Sequence, residues 1–329
     1  MAILKDNTFK PRLLFKNNHF NTVYRTLVTK IEGYKVDYKR QRINTPDNDF
    51  IDLDISSVNS KHAVIAIHGL EGSAHSLYIL SLVKYLNRQN IDVIAVNLRG
   101  CSGEDNNNLY AYHSGFTQDL ESVIKYVLQT YDYQSISLVG YSLGGNFVLK
   151  YIGEKRNIPE IIKCCVAVSA PCNLEDSSYA LAKKSNFIYM KAFLKSLKLK
   201  AQLKFKNFPN HTLDKKRILA SKNFADFDNY FTAPVFGYKS AKDYWNSNSC
   251  KPFLKSITKP SVLLTALDDP FLDDDCYPFK EAENHTYFDL LATKYGGHVG
   301  FNSSFKNIKN MWSEKFIVSY IKEHIKPPQ

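Results

Sequence analysis

The 329-residue chain has no apolar run near the ~18 residues that a bilayer-spanning helix needs. Its first residues, Met1-Ala2-Ile3-Leu4-Lys5-Asp6, lack the basic segment and apolar core of a secretory leader. A soluble, cytoplasmic protein is therefore expected. Cysteine is sparse: Cys101, Cys164, Cys165, Cys172, Cys250 and Cys276 are too few for a disulfide framework at this length, and none forms a C-x-x-C pair. Reduced structural thiols are expected, with Cys164 and Cys165 in a buried strand. The histidines show neither H-E-x-x-H nor comparable ligand spacing, so neither a metal nor an organic cofactor is expected.

Acidic residues are in deficit. The 43 Lys and Arg exceed the 32 Asp and Glu, for a net charge of +11. Between Asn173 and Cys250, fourteen basic residues against six acidic ones leave +8, which implies a basic patch. No nucleic-acid-binding motif accompanies that charge. Apolar residues make up 44% of the chain, charged residues make up 23%, and there is no low-complexity tract, so the chain should fold throughout.

Residues 1 to 22 read as a mixed outer segment. The stretches Thr22–Thr29 and Gly33–Asn44 read as strands, and Phe50–Ile55, which alternates apolar with acidic residues, reads as a half-exposed one. These form the antiparallel opening of a mixed sheet. Ala63–Ile67 is a continuous apolar run, as a strand buried on both faces requires, and the largely apolar stretches Asp92–Leu98, Ser135–Gly140 and Cys164–Val168 read as further buried strands. Helical spacing fills Ser76–Arg88 and Phe116–Thr130, so strand and helix alternate as in a parallel α/β sheet. The rhythm stops over residues 173–250, which read as an inserted helical cap between core segments 1–172 and 251–329. It resumes at Ser261–Ala266 and Thr286–Ala292, with a terminal helix over Ser304–His324.

The strand-to-helix junction at Gly140-Tyr141-Ser142-Leu143-Gly144 is a G-x-S-x-G pattern in the context that gives it meaning. Its serine would stand on a sharp turn clear of the sheet, with the Leu143 N–H free at the helix mouth. Ligands bind beyond the carboxyl ends of strands in open parallel sheets, and five such ends carry His68-Gly69, Arg99-Gly100, Ser142, Asp269 and His298. A serine nucleophile needs a base, and the base needs an orienting acid, in the chain order Ser, Asp, His. His298 follows the last strand and fits the base; His285 falls at the wrong end of the sheet, and His324 lies in a charged helix. Asp269, just before Pro270, is favoured over the adjacent Asp268 as the acid. His68-Gly69 fits the second half of an oxyanion hole, with Leu70 as the donor and His68 bracing the loop.

With these residues assembled, the sequence resembles the YheT-like branch of the α/β-hydrolases, AB-hydrolase family 4. That branch is related to animal abhydrolase-domain phospholipases and esterases. The resemblance rests on Asp49-Phe50-Ile51-Asp52-Leu53, His68-Gly69-Leu70-Glu71-Gly72, Arg99-Gly100-Cys101-Ser102-Gly103-Glu104 and Tyr112-His113-Ser114-Gly115. It continues through Gly140-Tyr141-Ser142-Leu143-Gly144-Gly145-Asn146, Asp268-Asp269-Pro270-Phe271 and Gly296-Gly297-His298-Val299-Gly300-Phe301. It implies an α/β-hydrolase fold with a relay on Ser142, Asp269 and His298. A hydrogen-bonded scaffold role under the site is expected for Arg99, Glu104 and His113, with substrate contact as the alternative.

The expected activity is hydrolysis of carboxylic esters, lipid esters included, through an acyl-enzyme on Ser142. Acyl transfer by the same triad, or a non-catalytic lipid-binding or scaffold protein on the same fold, are the alternatives. In the cap, Met190, Phe193, Leu194, Leu197 and Ala201 follow helical spacing while Lys191, Lys195, Lys198 and Lys200 take other faces. A lid helix with solvated lysines is expected. The sharper reading is a basic amphipathic helix that contacts anionic membrane at its inner surface.

Overall fold

The computed structural model describes residues 3–4, 8–32, 35–305 and 311–325. Its strands are β1 (Lys39–Asn44), β2 (Phe50–Ser56), β3 (His62–Ile67), β4 (Asp92–Asn97), β5 (Ser135–Tyr141), β6 (Ile162–Val168), β7 (Ser261–Ala266) and β8 (Phe288–Thr293). They form one sheet in the order β1-β2-β4-β3-β5-β6-β7-β8. Strand β2 runs antiparallel to β1 and β4, and β3 to β8 are mutually parallel.

The helices before β6 are α1 (Asn18–Glu32), α2 (Leu77–Asn87), α3 (Thr117–Thr130) and α4 (Leu143–Gly153). Between β6 and β7 come α5 (Leu174–Ala182), α6 (Phe187–Asn207), α7 (Lys215–Ala220), α8 (Phe224–Phe227), α9 (Ala233–Phe236) and α10 (Ala241–Asn248). The last two are α11 (Phe279–Ala282) and α12 (Trp312–Ile325).

The apolar runs make sense in this sheet. Ile65, Ile67 and Leu138 face a layer that includes Val123 and Ile124 of α3 and Phe147 of α4. Val64, Ala66 and Val139 face the opposite layer, with Leu82 and Leu86 of α2 and Ile317 and Ile321 of α12. Both faces of the central strands are thus covered, and each fully buried Val, Ile or Leu contributes about 1.5–3 kcal/mol relative to exposure.

Four local expectations need correction. Thr22–Thr29 is not a strand but part of α1. Its β-branched residues suit a strand by propensity, but tertiary packing prevails: Tyr24 and Phe15 meet edge to face at 4.8 Å, and Thr22 returns its hydroxyl to the Asn18 carbonyl one turn earlier. Strand β1 begins only at Lys39; of the expected stretch, residues 33 and 34 lie outside the described residues. Strand β2 is not half-exposed, because every one of its residues is buried. In the β1–β2 register Arg40 faces Asp54 and Arg42 faces Asp52, and each guanidinium grips its carboxylate through two bonds of 2.7–2.8 Å. The expected terminal helix starts later, at Trp312, and residues 306–310 of it lie outside the described residues.

Candidate active site

Ser142 follows the last residue of β5 and precedes the first of α4, with φ +53° and ψ −120°. A non-glycine residue rarely adopts a positive φ, and here the neighbouring backbone enforces it. The Ser142 N–H donates to the Val168 carbonyl at 2.7 Å, and its own carbonyl accepts from the Gly145 N–H at 2.8 Å. The flanking glycines are there for space. A β-carbon on Gly140 would fall 2.0 Å from the Gly144 oxygen, and one on Gly144 would fall 2.4 Å from the Ile67 oxygen. The turn therefore packs directly against the end of β3.

The loop after β8 brings His298 onto this serine. Its Nε2 lies 2.8 Å from Ser142 Oγ, and its Nδ1 lies 2.9 and 3.1 Å from the two oxygens of Asp269. Because the carboxylate can only accept, Nδ1 carries the proton and Nε2 is left to accept from the serine hydroxyl. His298 and Asp269 are both buried. The Phe271 ring covers the imidazole at 4.3 Å, and the Phe271 N–H donates to Asp269 Oδ1 at 2.9 Å. The His298 backbone is held by Thr22, whose Oγ1 accepts its N–H at 2.9 Å.

Asp268 does something else. Its Oδ1 accepts the Gly297 N–H at 2.9 Å, and its Oδ2 is buried with no partner among the described residues. Burial, reinforced by the nearby Asp269 charge, pushes its pKa up to about 6. Asp268 thus shapes the turn that presents His298, while Asp269 faces the ring.

The loop after β3 lies against the serine from the other side. A β-carbon on Gly69 would sit 3.0 Å from Ser142 Cβ. The Gly69 N–H donates to Tyr78 Oη and the Glu71 N–H to Tyr112 Oη, both at 2.9 Å. The intervening Leu70 N–H has no partner among the described residues, and Leu143, as the first residue of α4, has no intrahelical acceptor for its own. Both leucines line the same cavity as Ser142 and His298. His68 is fully buried: its Nε2 accepts the Leu98 N–H at 3.1 Å, so Nδ1 carries the hydrogen toward the Gly69 oxygen at 2.7 Å. Burial pulls its pKa down to about 4, keeping it a neutral brace.

Over the serine lies a cavity of about 140 Å³, walled by Leu70, Phe193, Leu197, Phe224, Phe231 and Phe271 among other apolar residues. Helix α6 supplies Phe193 and Leu197 from one face and also reaches the Leu70 loop. Lys200 Nζ lies 2.8 Å from Glu71 Oε1, Tyr112 Oη donates to the same oxygen at 2.8 Å, and Ser196 Oγ bonds the other. Glu71 is held at φ +56°. Glu71 and Tyr112 stand in blocks of the resemblance without an assigned role, Ser196 carries no mark in the sequence, and Lys200, expected to be solvated, is instead tied to Glu71. Asn146, which stands in the resemblance block without an assigned role, donates its side-chain amide to the Ser114 and Asn248 carbonyls and accepts the Cys250 N–H, all at 2.8–2.9 Å, tying α4 to the end of α10.

The three expected scaffold residues differ. Arg99 is buried, bonded in parallel to both Asp119 oxygens at 2.6 and 2.8 Å, and to Asp47 at 2.6 Å. Burial raises the Asp119 pKa to about 6 against the pull of Arg99. Glu104 is mostly exposed and pairs with Arg42 at 2.9 Å. His113 stacks on Phe116 at 5.1 Å, lines the cavity, and is held neutral by burial with a pKa of about 3. Among the described residues no group of three or more His, Cys, Asp or Glu could hold a metal ion, and no helix is long and apolar enough to cross a membrane.

An imidazole placed between a hydroxyl and a carboxylate can move the hydroxyl proton, and two free amides beside it can hold a developing oxyanion. Known proteins share this fold. The alpha/beta hydrolase fold family matches residues 62–293. The chain is 31% identical over 323 residues to "Putative esterase YheT" of Escherichia coli (strain K12), covering 96% of this chain and 94% of that one. It is 26% identical over 303 residues to human "Phospholipase ABHD3", covering 89% of this chain and 73% of that one. Among solved structures, the Pyrococcus furiosus esterase Pf2001 superposes with a TM-score of 0.60 at 18% identity, covering 91% of this chain and 96% of that one, a likeness of fold. With the site's strands in this order and the match extending over most of its length, the chain belongs to the alpha/beta hydrolase family.

Proposed function

We propose that this protein is a serine hydrolase that cleaves carboxylic esters with an apolar acyl group. The observation that carries the reading is His298 bridging Ser142 and Asp269 at hydrogen-bond distance on both sides. Ser142 Oγ attacks the ester carbonyl while His298 Nε2 takes its proton. The Leu70 and Leu143 amides receive the negative charge on the carbonyl oxygen. His298 then returns the proton to the leaving alkoxide, and the acyl group stays on Ser142. Water, deprotonated by the same nitrogen, releases the acid. Asp269 keeps the proton on Nδ1 and balances the imidazolium.

Residues 173–250 act as a cap whose α6 and α8 close the acyl chamber. The cavity's aromatic and aliphatic walls favour an apolar chain over a charged one. Relatives named as an esterase and a phospholipase support an ester substrate. Turnover of p-nitrophenyl esters from acetate to laurate tests this. Ser142-dependent hydrolysis that improves with chain length is expected; equal rates for the wild type and Ser142→Ala would overturn it.

A further inference from the structure

Helix α6 has two working faces. Met190, Leu194, Ala201 and Phe205 are buried, and Phe193 and Leu197 line the chamber. The opposite stripe, Ile188, Lys191, Lys195, Leu199, Gln202 and Lys206, is exposed and repeats every three or four residues. Phe187 is 63% exposed, Ile188 77%, Leu199 52% and Leu203 51%, which is unusual for side chains this large on one helix. The 21-residue helix has six lysines and no acidic residue. Its inward lysines are used: Lys198 donates to the Ser221 carbonyl, Lys200 to Glu71, and Lys204 pairs with Asp105. Lys191, Lys195 and Lys206 face outward with no acidic partner among the described residues.

The exposed surface continues beyond the helix. Tyr189 stacks on His19 at 5.8 Å, three residues after the turn Leu13–Lys16. In that turn Leu13 is 82% exposed and Leu14 57%, with Arg12 and Lys16 also exposed.

We propose that the outer face of α6, with the Leu13–Lys16 turn beside it, docks on an anionic lipid surface. Lysines spaced among apolar anchors fit phosphate headgroups at the level of the charges and acyl chains just beneath. A second copy of this chain would set one row of lysines against another. A nucleic acid would take up the charges but leave Ile188 and Leu199 in water. Docking requires neither the triad nor turnover, so it stands or falls separately from the ester reading.

The test is sedimentation of the full chain with vesicles of phosphatidylcholine alone or mixed with phosphatidylglycerol, at low and high salt. Binding to the anionic vesicles only, weakened by salt, is expected. The pair Lys191→Glu and Lys195→Glu should lower that partition roughly thirty-fold or more. The pair Ile188→Ser and Leu199→Ser should lower it at every salt concentration. Circular dichroism and melting temperature identify any variant that has merely unfolded. Equal binding to both vesicle types, or unchanged binding by both folded variants, would overturn the proposal. So would concentration-dependent dimerisation abolished by the same substitutions in the absence of vesicle binding.

Discussion

Lys200 Nζ stands 2.8 Å from Glu71 Oε1 although 129 residues separate them in the chain. Glu71 immediately follows Leu70, the proposed oxyanion donor, and its carboxylate also holds Ser196 and Tyr112. The amide that would stabilise the transition state is therefore positioned in part by α6 of the cap. A cap that shifts would carry the oxyanion loop with it.

Glu71→Ala should accordingly lower kcat by about ten- to a hundred-fold, less than or equal to the loss of an oxyanion donor itself, with KM nearly unchanged. Because both residues act through one contact, Glu71→Ala combined with Lys200→Ala should be no worse than Glu71→Ala alone. Steady-state kinetics on p-nitrophenyl butyrate decide it; a change confined to KM would place Glu71 in substrate binding instead.

The two adjacent aspartates should separate cleanly. Asp269→Asn keeps the shape but no longer holds the imidazole tautomer, and kcat should fall by about 10⁴-fold. Asp268→Asn keeps the acceptor for the Gly297 N–H and should stay within about ten-fold of wild type. Similar losses in both variants would contradict the assignment.

Asp268 also has a pH signature. Its carboxyl is pushed up to about 6 in the folded chain by burial, against 3.8 for an unhindered one, so the folded state binds the extra proton more tightly. Its contribution therefore falls as pH rises from about 4 to 6, and the loss is complete above that. Relative to wild type, Asp268→Asn should gain stability across this window and keep the gain at neutral pH. About 1 kcal/mol is expected, since partial exposure screens the charge. Melting temperatures of both proteins across this range measure the difference.

Much of the site was legible because its pieces end strands. Gly140 to Gly144, His68-Gly69 and Gly297-His298 each come after a largely apolar strand, and a parallel sheet delivers all such ends to one rim. What the sequence hid was long-range pairing. Asp52 and Asp54 looked solvent-facing until the β1 register set Arg42 and Arg40 opposite them. Thr22 to Thr29 looked like a strand because β-branched residues favour one, while the contacts that make it helical lie with Phe15 and, through Asn21, with Asn302. Glu71 carries no local mark of its partner in α6.

Arg99 tests the buried scaffold. Removing it by Arg99→Met leaves Asp119, Asp47 and Asp49 without their shared cation, and a loss of about 3–5 kcal/mol is expected in urea unfolding. Adding Asp119→Asn should restore part of that, because one stranded carboxylate is then gone. Further destabilisation by the second change would show that Asp119 is held mainly by something other than Arg99.

Whether Ser142 is the nucleophile is read from intact-protein mass after exposure to a fluorophosphonate, followed by peptide mapping. One adduct per chain is expected, located on Ser142, absent in Ser142→Ala and strongly slowed in His298→Ala. An unmodified wild-type chain, or an adduct on any other residue that persists in Ser142→Ala, would contradict it.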